Sequence, residues 1–181
     1  MPTFPLPIAR SLRHAFHALL VAAALALALP LQAGDLTTVR LIAFNDLHGH
    51  LEAGDNTITA ADPRDPGRAI ALRVGGLAYL ASAVRRLREE QPASVLVSTG
   101  DLVGASPLVS ALFRDEPTIE AMNALGLDLN AAGNHEFDHG VAELRRLIAG
   151  GCAAEPRGAA ASCAGASRNF DGARFAFIAA N

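Results

Sequence analysis

The 181-residue sequence contains no lysine, so all 15 of its basic residues are arginines, and these form no cluster large enough for binding nucleic acid. Only two cysteines are present, and only four of the six histidines follow residue 33. An apolar fraction of 51% and a charged fraction of 18% fit a globular chain of about one domain, which excludes disordered and collagen-like classes. We therefore expect no nucleic-acid polymer as a partner.

The amino terminus has the pattern of an export signal. Arg10 and Arg13 precede an apolar run over residues 15–29, and the small Ala33 suits a cleavage position. A retained membrane anchor is the alternative, but the run is short of the roughly 20 residues that span a bilayer. We interpret residues 1–33 as a signal peptide and expect a periplasmic or secreted protein with no stable membrane anchor after cleavage.

Export implies an oxidising compartment, where Cys152 and Cys163 can form a disulfide across a loop rich in Gly, Ala and Ser. A bridge over so short a loop would stabilise the fold by about 3 kcal/mol in the chain-entropy model. The alternative is a pair of free thiols in a flexible insertion. The spacing of the two cysteines and their neighbours do not suggest a metal or redox site.

Beyond the leader, short apolar runs alternate with amphipathic segments, which predicts one α/β layered domain over residues 34–181 with a largely parallel sheet. Apolar runs predict buried strands at 39–44, 94–98, 128–132 and 173–180. Helical spacing of apolar residues predicts helices over 77–91, 108–113, 117–125 and 141–148. The polar residues 54–69 contain Pro63 and Pro66 and predict a loop without regular structure.

Three polar segments follow the carboxyl ends of the first three predicted strands: residues 45–50, 100–101 and 133–138. All four histidines after residue 33 fall in or beside them. In parallel α/β sheets, ligand sites gather outside the carboxyl ends of the strands, so these distant segments are expected to converge. Taken singly, each pattern is more typical of a turn or a helix cap, but their combination predicts a metal site.

The side chains of these segments suit two divalent ions such as Zn²⁺ or Mn²⁺. Asp46 and His48 would bind one ion, and Asp101 would bridge it to a second ion that also takes the Asn134 side-chain oxygen. His135 would supply a proton to a leaving group, with Asp138 orienting its imidazole. The remaining polar residues, expected to be supporting or surface groups, are His50, His139 and Glu136.

The three segments, Asn45-Asp46-Leu47-His48-Gly49-His50, Gly100-Asp101 and Gly133-Asn134-His135-Glu136-Phe137-Asp138, resemble motifs of the calcineurin-like metallophosphoesterases, specifically the exported 5'-nucleotidase and UDP-sugar hydrolase family. The resemblance implies an α/β/β/α sandwich, a di-metal site and hydrolysis of phosphate esters, nucleotides above all. It also implies that Asp46, His48, Asp101 and Asn134 bind metal, that His135 and Asp138 are catalytic, and that Asn134 and His135 contact the substrate.

The sequence departs from that family in having no further histidine blocks, which in the family complete both metal sites. We therefore expect residues 34–181 to be the amino-terminal part of a larger catalytic domain. Two alternatives stay open. One is another di-metal hydrolase of this fold, acting on cyclic nucleotides or on protein-bound thiosulfate, and the other is a non-catalytic metal-binding remnant.

Overall fold

A computed structural model describes residues 17–20, 36–55, 57–153, 161–163 and 169–179. The chain divides into two units, Met1–Thr37 and Thr38–Asn181. In the first unit, residues 17–20 form a helical turn, and the rest of the predicted leader lies outside the described residues. Within the part of the chain that the structure describes, no helix is long and apolar enough to cross a membrane.

Strands and helices alternate along the second unit, as the sequence predicts. In chain order the elements are β1 (Arg40–Phe44), β2 (Thr57–Asp62), β3 (Asp65–Arg73), α1 (Leu77–Glu90), β4 (Ser94–Ser98), α2 (Leu108–Ala111), α3 (Glu116–Leu125), β5 (Leu129–Ala131), α4 (Val141–Ala149) and β6 (Ala176–Ile178). A single turn of 3₁₀ helix, His135–Phe137, lies between β5 and α4.

Four strands form one sheet in the order β1-β4-β5-β6, and every neighbouring pair is parallel. The predicted α/β class and parallel sheet are therefore confirmed. Parallel order places the carboxyl ends of β1, β4 and β5 at the same edge, so the segments that follow these strands start side by side. Strand β4 has the predicted bounds, whereas β5 and β6 are shorter than the predicted 128–132 and 173–180.

Helices cover one face of the sheet. The side chains of Leu96, Ile119 and Met122 are fully buried, and Val84 of α1 is 2% exposed. Helix α3 begins with Pro117 in its first turn and ends at Gly126, whose φ of 73° is left-handed backbone that glycine adopts without strain. These side chains form the core that fixes β4 against the helices.

The other face of the sheet is apolar and open. Leu41 and Val95, which are register partners on β1 and β4, are 66% and 37% exposed, and Ile178 of β6 is 50% exposed. Parallel sheets ordinarily bury both faces. The second sheet that an α/β/β/α sandwich would pack here is not among the described residues, so those residues contain one half of that architecture.

The prediction of an irregular loop over residues 54–69 is wrong. Strands β2 and β3 form an antiparallel hairpin there, closed by a turn in which Asp62 Oδ1 accepts a hydrogen bond from Arg64 N at 2.9 Å. Pro66 does not break the pairing because the register shifts between Ala61 and Asp62, which leaves Pro66 outside the regular ladder. The two prolines therefore mark the turn and an irregularity in the hairpin.

Cys152 and Cys163 are joined by a disulfide with their Cα atoms 5.4 Å apart. Cys163 is 8% exposed, and its backbone N–H donates to Glu116 Oε2 at 2.8 Å. Ser162 Oγ donates to the other oxygen of Glu116 at 2.6 Å. The carboxyl side of the disulfide loop is thereby tied to the first residue of α3.

Candidate active site

Backbone hydrogen bonds continue the pairing of β1 and β4 beyond the ends of the strands. Asp46 N donates to Gly100 O at 3.1 Å, and His48 N donates to Asp101 O at 3.0 Å. Gly49 N donates in the same way to the next carbonyl of that segment, at 3.0 Å. The first and second polar segments are therefore held alongside each other by main-chain contacts, independently of any ion.

The third segment reaches the same place from β5. His135 N donates to Asp101 Oδ1 at 3.1 Å, and the rings of His135 and His48 meet edge to face with centroids 4.9 Å apart. One ligand atom each of His48, Asp101 and His135 can be chosen so that all three lie within 4.8 Å of one another. Asp46 Oδ1 is 3.7 Å from His48 Nε2. Three of the predicted residues thus converge on one point, and Asp46 lies beside one of them, His48.

The tautomer of His48 follows from its contact with the backbone. His48 Nδ1 is 2.9 Å from the carbonyl oxygen of Gly104, and because a carbonyl only accepts, Nδ1 must carry the proton. In the neutral ring, Nε2 is then the nitrogen with the lone pair, and it lies on the side that faces Asp46. A metal-binding histidine is usually fixed in this way through its other ring nitrogen. Together with the nearby carboxylates, this donor set fits a divalent transition metal.

His135 is held by a second contact of the same kind. Its Nδ1 donates to Asp138 Oδ2 at 2.7 Å, three residues further on, across the 3₁₀ turn. The hydrogen bond and the charge of Asp138 raise the pKa of His135 above its ordinary value of 6.5, although desolvation opposes the shift. An imidazole whose Nδ1 is engaged keeps Nε2 for proton transfer.

The backbone of the two loops is strained where the predicted ligands stand. Asp46, His48 and Asp101 have φ angles of 52°, 44° and 53°, in the left-handed region that few residues other than Gly occupy, although Asp and His enter it more often than most. Residues held in such conformations cluster at functional sites, because the surrounding contacts must over-determine them. Here the contacts are the main-chain hydrogen bonds between the two loops.

The remaining predicted residues lie at the rim. Asn134 is exposed and makes no side-chain capping bond to the 3₁₀ turn that follows it, so its amide is not committed to a cap. His50 is exposed and lines a groove of about 750 Å³ beside Asp46. His139 is also exposed. The structure brings Asn134 next to the convergence point through its neighbour His135, but it gives neither His50 nor His139 a contact with it.

Glu136, for which the sequence analysis left a supporting and a surface role open, is buried. It is 3% exposed, and its carboxylate accepts hydrogen bonds from the backbone of both the second and the third segments. A charged residue between His135 and an aromatic residue reads as a surface group, since nothing in its spacing marks it as buried. The one available signal was its place inside the longest motif.

The family model for the calcineurin-like phosphoesterases matches residues 39–157, which is most of the second unit and includes all three polar segments. The chain belongs to this family. Calcineurin-like phosphoesterases are hydrolases that use divalent metals, so membership classes the chain among the metal-dependent hydrolases of phosphate esters. It also agrees with the parallel α/β sheet described above.

Among the relatives of this phosphoesterase chain, an uncharacterized protein of Acinetobacter calcoaceticus is 48% identical over 144 residues, which cover 80% of this chain and 69% of that protein. An endonuclease of Bacillus subtilis is 32% identical over 79% of this chain and 10% of its own length. A probable 5'-nucleotidase of Treponema pallidum is 36% identical over 65% of this chain and 18% of its own length. This chain thus spans a small part of the last two relatives.

Proposed function

We propose that the chain hydrolyses phosphate monoesters, nucleotides foremost, at a site for two divalent ions to which Asp46, His48, Asp101 and Asn134 contribute. The observation that carries the proposal is the convergence of His48, Asp101 and His135 within 4.8 Å at the carboxyl edge of a parallel sheet. Divalent ions held by these residues would supply positive charge that polarises the phosphoryl oxygens and lowers the pKa of a bound water.

The chain's own residues supply positioning and proton transfer. In neutral His48 the bond from Nδ1 to Gly104 O makes Nε2 the nitrogen with the lone pair, and Asp101 lies between the first and third segments with its carboxylate turned to His135 N. When the bond between phosphorus and the leaving oxygen breaks, His135 Nε2 donates a proton to that oxygen. Asp138 stabilises the imidazolium form before transfer, which suits His135 as general acid near neutral pH.

Nucleotides are favoured over other phosphate esters because relatives of the chain are named probable 5'-nucleotidase, from Treponema pallidum, and 5'-nucleotidase, from Rattus norvegicus. Export to the periplasm or outside the cell is part of the same proposal. It is supported by the disulfide between Cys152 and Cys163, since such bonds persist in oxidising compartments. No nucleic-acid polymer is proposed as substrate, because no basic cluster is available to bind a polyanion.

The test is hydrolysis of AMP and of p-nitrophenyl phosphate by the purified chain, with and without added Mn²⁺ or Zn²⁺. We expect hydrolysis that depends on metal, that prefers the monoesters to bis-p-nitrophenyl phosphate, and that falls by 10²-fold or more in His135→Ala with metal content retained. Asp101→Ala is expected to lose both ions by metal analysis. Asp171→Ala, whose side chain is 68% exposed beside Arg174, serves as the control for both.

Each alternative has its own outcome. Preference for 2',3'-cyclic or bis-p-nitrophenyl substrates would replace the monoesterase by a phosphodiesterase, and release of sulfate from a thiosulfate-carrying peptide would replace it by a thiosulfate hydrolase. Metal binding without turnover on any of these substrates would leave a metal-binding protein. Two retained equivalents of metal in Asp101→Ala would end the bridging assignment.

A further inference from the structure

Glu136 presents its two carboxylate oxygens to four N–H groups. Oε1 accepts from Leu102 N at 2.9 Å and from Asn130 Nδ2 at 3.1 Å. Oε2 accepts from Gly133 N at 2.8 Å and from Asp101 N at 3.1 Å. An ionised carboxylate is an acceptor only and has two acceptor positions on each oxygen, so these four donors fill it.

The segment 100–102 is consequently held on both of its sides. On one side its carbonyl oxygens accept from the backbone amides of Asp46, His48 and Gly49 in the first polar segment. On the other side, where β5 has ended and no strand can pair with it, its amides donate to Glu136. The carboxylate therefore replaces a strand in the hydrogen-bonding ladder at the point where the three polar segments meet.

We propose that Glu136 is a positioning residue that sets the separation of Asp101 from His135, and through it the affinity of the site for a divalent cation. The cation part rests on the proposed function, while the loop geometry does not. Without the carboxylate, the buried amide of Leu102 and the part-buried amides of Asp101 and Gly133 would lack acceptors, which destabilises this arrangement of the loops. Asp101, with its φ of 53°, would then relax toward ordinary backbone and take its carboxylate out of line with His135 N.

The isosteric change Glu136→Gln tests the role sharply, because glutamine has the same shape but replaces one acceptor oxygen by an NH₂ donor. In one orientation that NH₂ would face the amides of Asp101 and Gly133, and in the other it would face the amide of Leu102. Neither orientation satisfies both loops. Asp128→Asn is the matched control, since Asp128 Oδ2 accepts from Leu96 N at 2.8 Å and joins the middle of β4 to the residue that precedes β5.

The first measurement is amide hydrogen exchange of the metal-free chain. In the unmodified chain the amides of Asp101, Leu102 and Gly133 should be protected although they lie outside regular strands. In Glu136→Gln they should exchange about tenfold faster or more, while Asp128→Asn should leave them unchanged. Unprotected amides in the unmodified chain, or unchanged protection in Glu136→Gln, would overturn the positioning role. Amide protection in the unmodified chain can be measured even if Glu136→Gln does not fold, so that outcome can still overturn the positioning role.

The second measurement is titration with Mn²⁺ alone, on variants whose circular dichroism matches that of the unmodified chain. Glu136→Gln should bind Mn²⁺ about 10- to 100-fold more weakly, and Asp128→Asn should bind within about twofold of the unmodified chain. Equal affinity in Glu136→Gln would refute the link to cation binding. An unmodified chain that binds no Mn²⁺ would refute the proposed function and the cation link together, while the exchange data would still decide the positioning role.

Discussion

Gly104 lies against both histidines of the site: its carbonyl oxygen accepts from His48 Nδ1 at 2.9 Å, while its Cα faces His135 and Asp138. A Cβ on residue 104 would stand 2.8 Å from Asp138 Oδ2 and 2.9 Å from His135 Cβ, closer than real Cβ atoms approach. Its φ of 81° is also left-handed. One glycine therefore orients the proposed metal-binding histidine and leaves room for the proposed catalytic pair.

Gly104→Ala should lower the stability of the chain by more than its left-handed backbone alone explains, and should weaken metal binding. Gly75→Ala is the matched control, because Gly75 has a φ of 92° and nothing within 4 Å of an added Cβ. Both variants should lose about 1–2 kcal/mol of unfolding free energy in urea from the left-handed backbone. Gly104→Ala should lose more than that and should also bind Mn²⁺ more weakly. Equal losses of unfolding free energy in the two variants would mean that His135 and Asp138 move away from the added methyl group without destabilising the fold.

Local sequence patterns were sufficient to predict the main sheet and the convergence of the polar segments at its carboxyl edge. The runs at 39–44 and 94–98 are apolar over most of their length, which is the composition of strands in a parallel sheet, although one face of these strands is open in the described residues. Once those strands are parallel, the position of Asp46 and Asp101 follows from their place after the strand ends. The convergence with His135 then needs only the third strand beside them.

What could not be predicted depends on contacts between segments distant in sequence. The hairpin of β2 and β3 was missed because Pro63 and Pro66 suggest a loop. In the structure Pro63 lies in the turn between the strands, and the register shift leaves Pro66 outside the paired positions. The burial of Glu136 was missed because its donors come partly from residues 101 and 102, more than thirty positions earlier. The residues next to Glu136 in the sequence do not indicate that its carboxylate accepts hydrogen bonds from the backbone of a distant segment.

The interaction of Asp138 with His135 predicts a change in titration behaviour. The hydrogen bond and the negative charge raise the pKa of His135, so Asp138→Asn should lower it toward 6.5. The stability that the pair contributes is fully present below that ordinary pKa and is lost as the pH rises through the raised pKa of the folded state. Proton NMR of the imidazole ring in the metal-free chain measures the shift, with Asp171→Asn as control. An unchanged titration midpoint would rule out Asp138 as the cause.

Reduction of the disulfide should destabilise the second unit. The bridge closes a loop of sequence separation 11, which corresponds to about 3 kcal/mol in the chain-entropy model. We expect reductant to lower the unfolding free energy in urea by up to about that amount. The double variant Cys152→Ser, Cys163→Ser should have the same unfolding free energy as the reduced chain, and reductant should not change it. A thiol titration should find two more free thiols after reduction. Equal thiol counts before and after would exclude the bridge in solution.

The ion pairs of Glu143 in α4 predict that the stability of the fold decreases in acid. Its side chain is 11% exposed and lies 2.9 Å from Arg146 Nη2 and 3.5 Å from Arg114 Nη1. Burial raises the pKa of Glu143, but the hydrogen bonds and positive charges of Arg146 and Arg114 outweigh it, so the pKa lies below its ordinary value of 4.5. A carboxyl whose pKa is lowered on folding stabilises the folded state above the unfolded pKa.

That contribution should disappear as the pH falls below 4.5 and through the lower pKa of folded Glu143. Glu143→Gln is therefore expected to have a lower Tm than the unmodified chain at pH 7, and the difference between them should shrink steadily in acid. Glu89→Gln, at an exposed position of α1, should leave Tm nearly unchanged at both pH values. Thermal unfolding followed by circular dichroism from pH 7 to pH 3 measures both. A Tm difference for Glu143→Gln that stays constant with pH would show that its loss reflects packing rather than the ion pairs with Arg146 and Arg114.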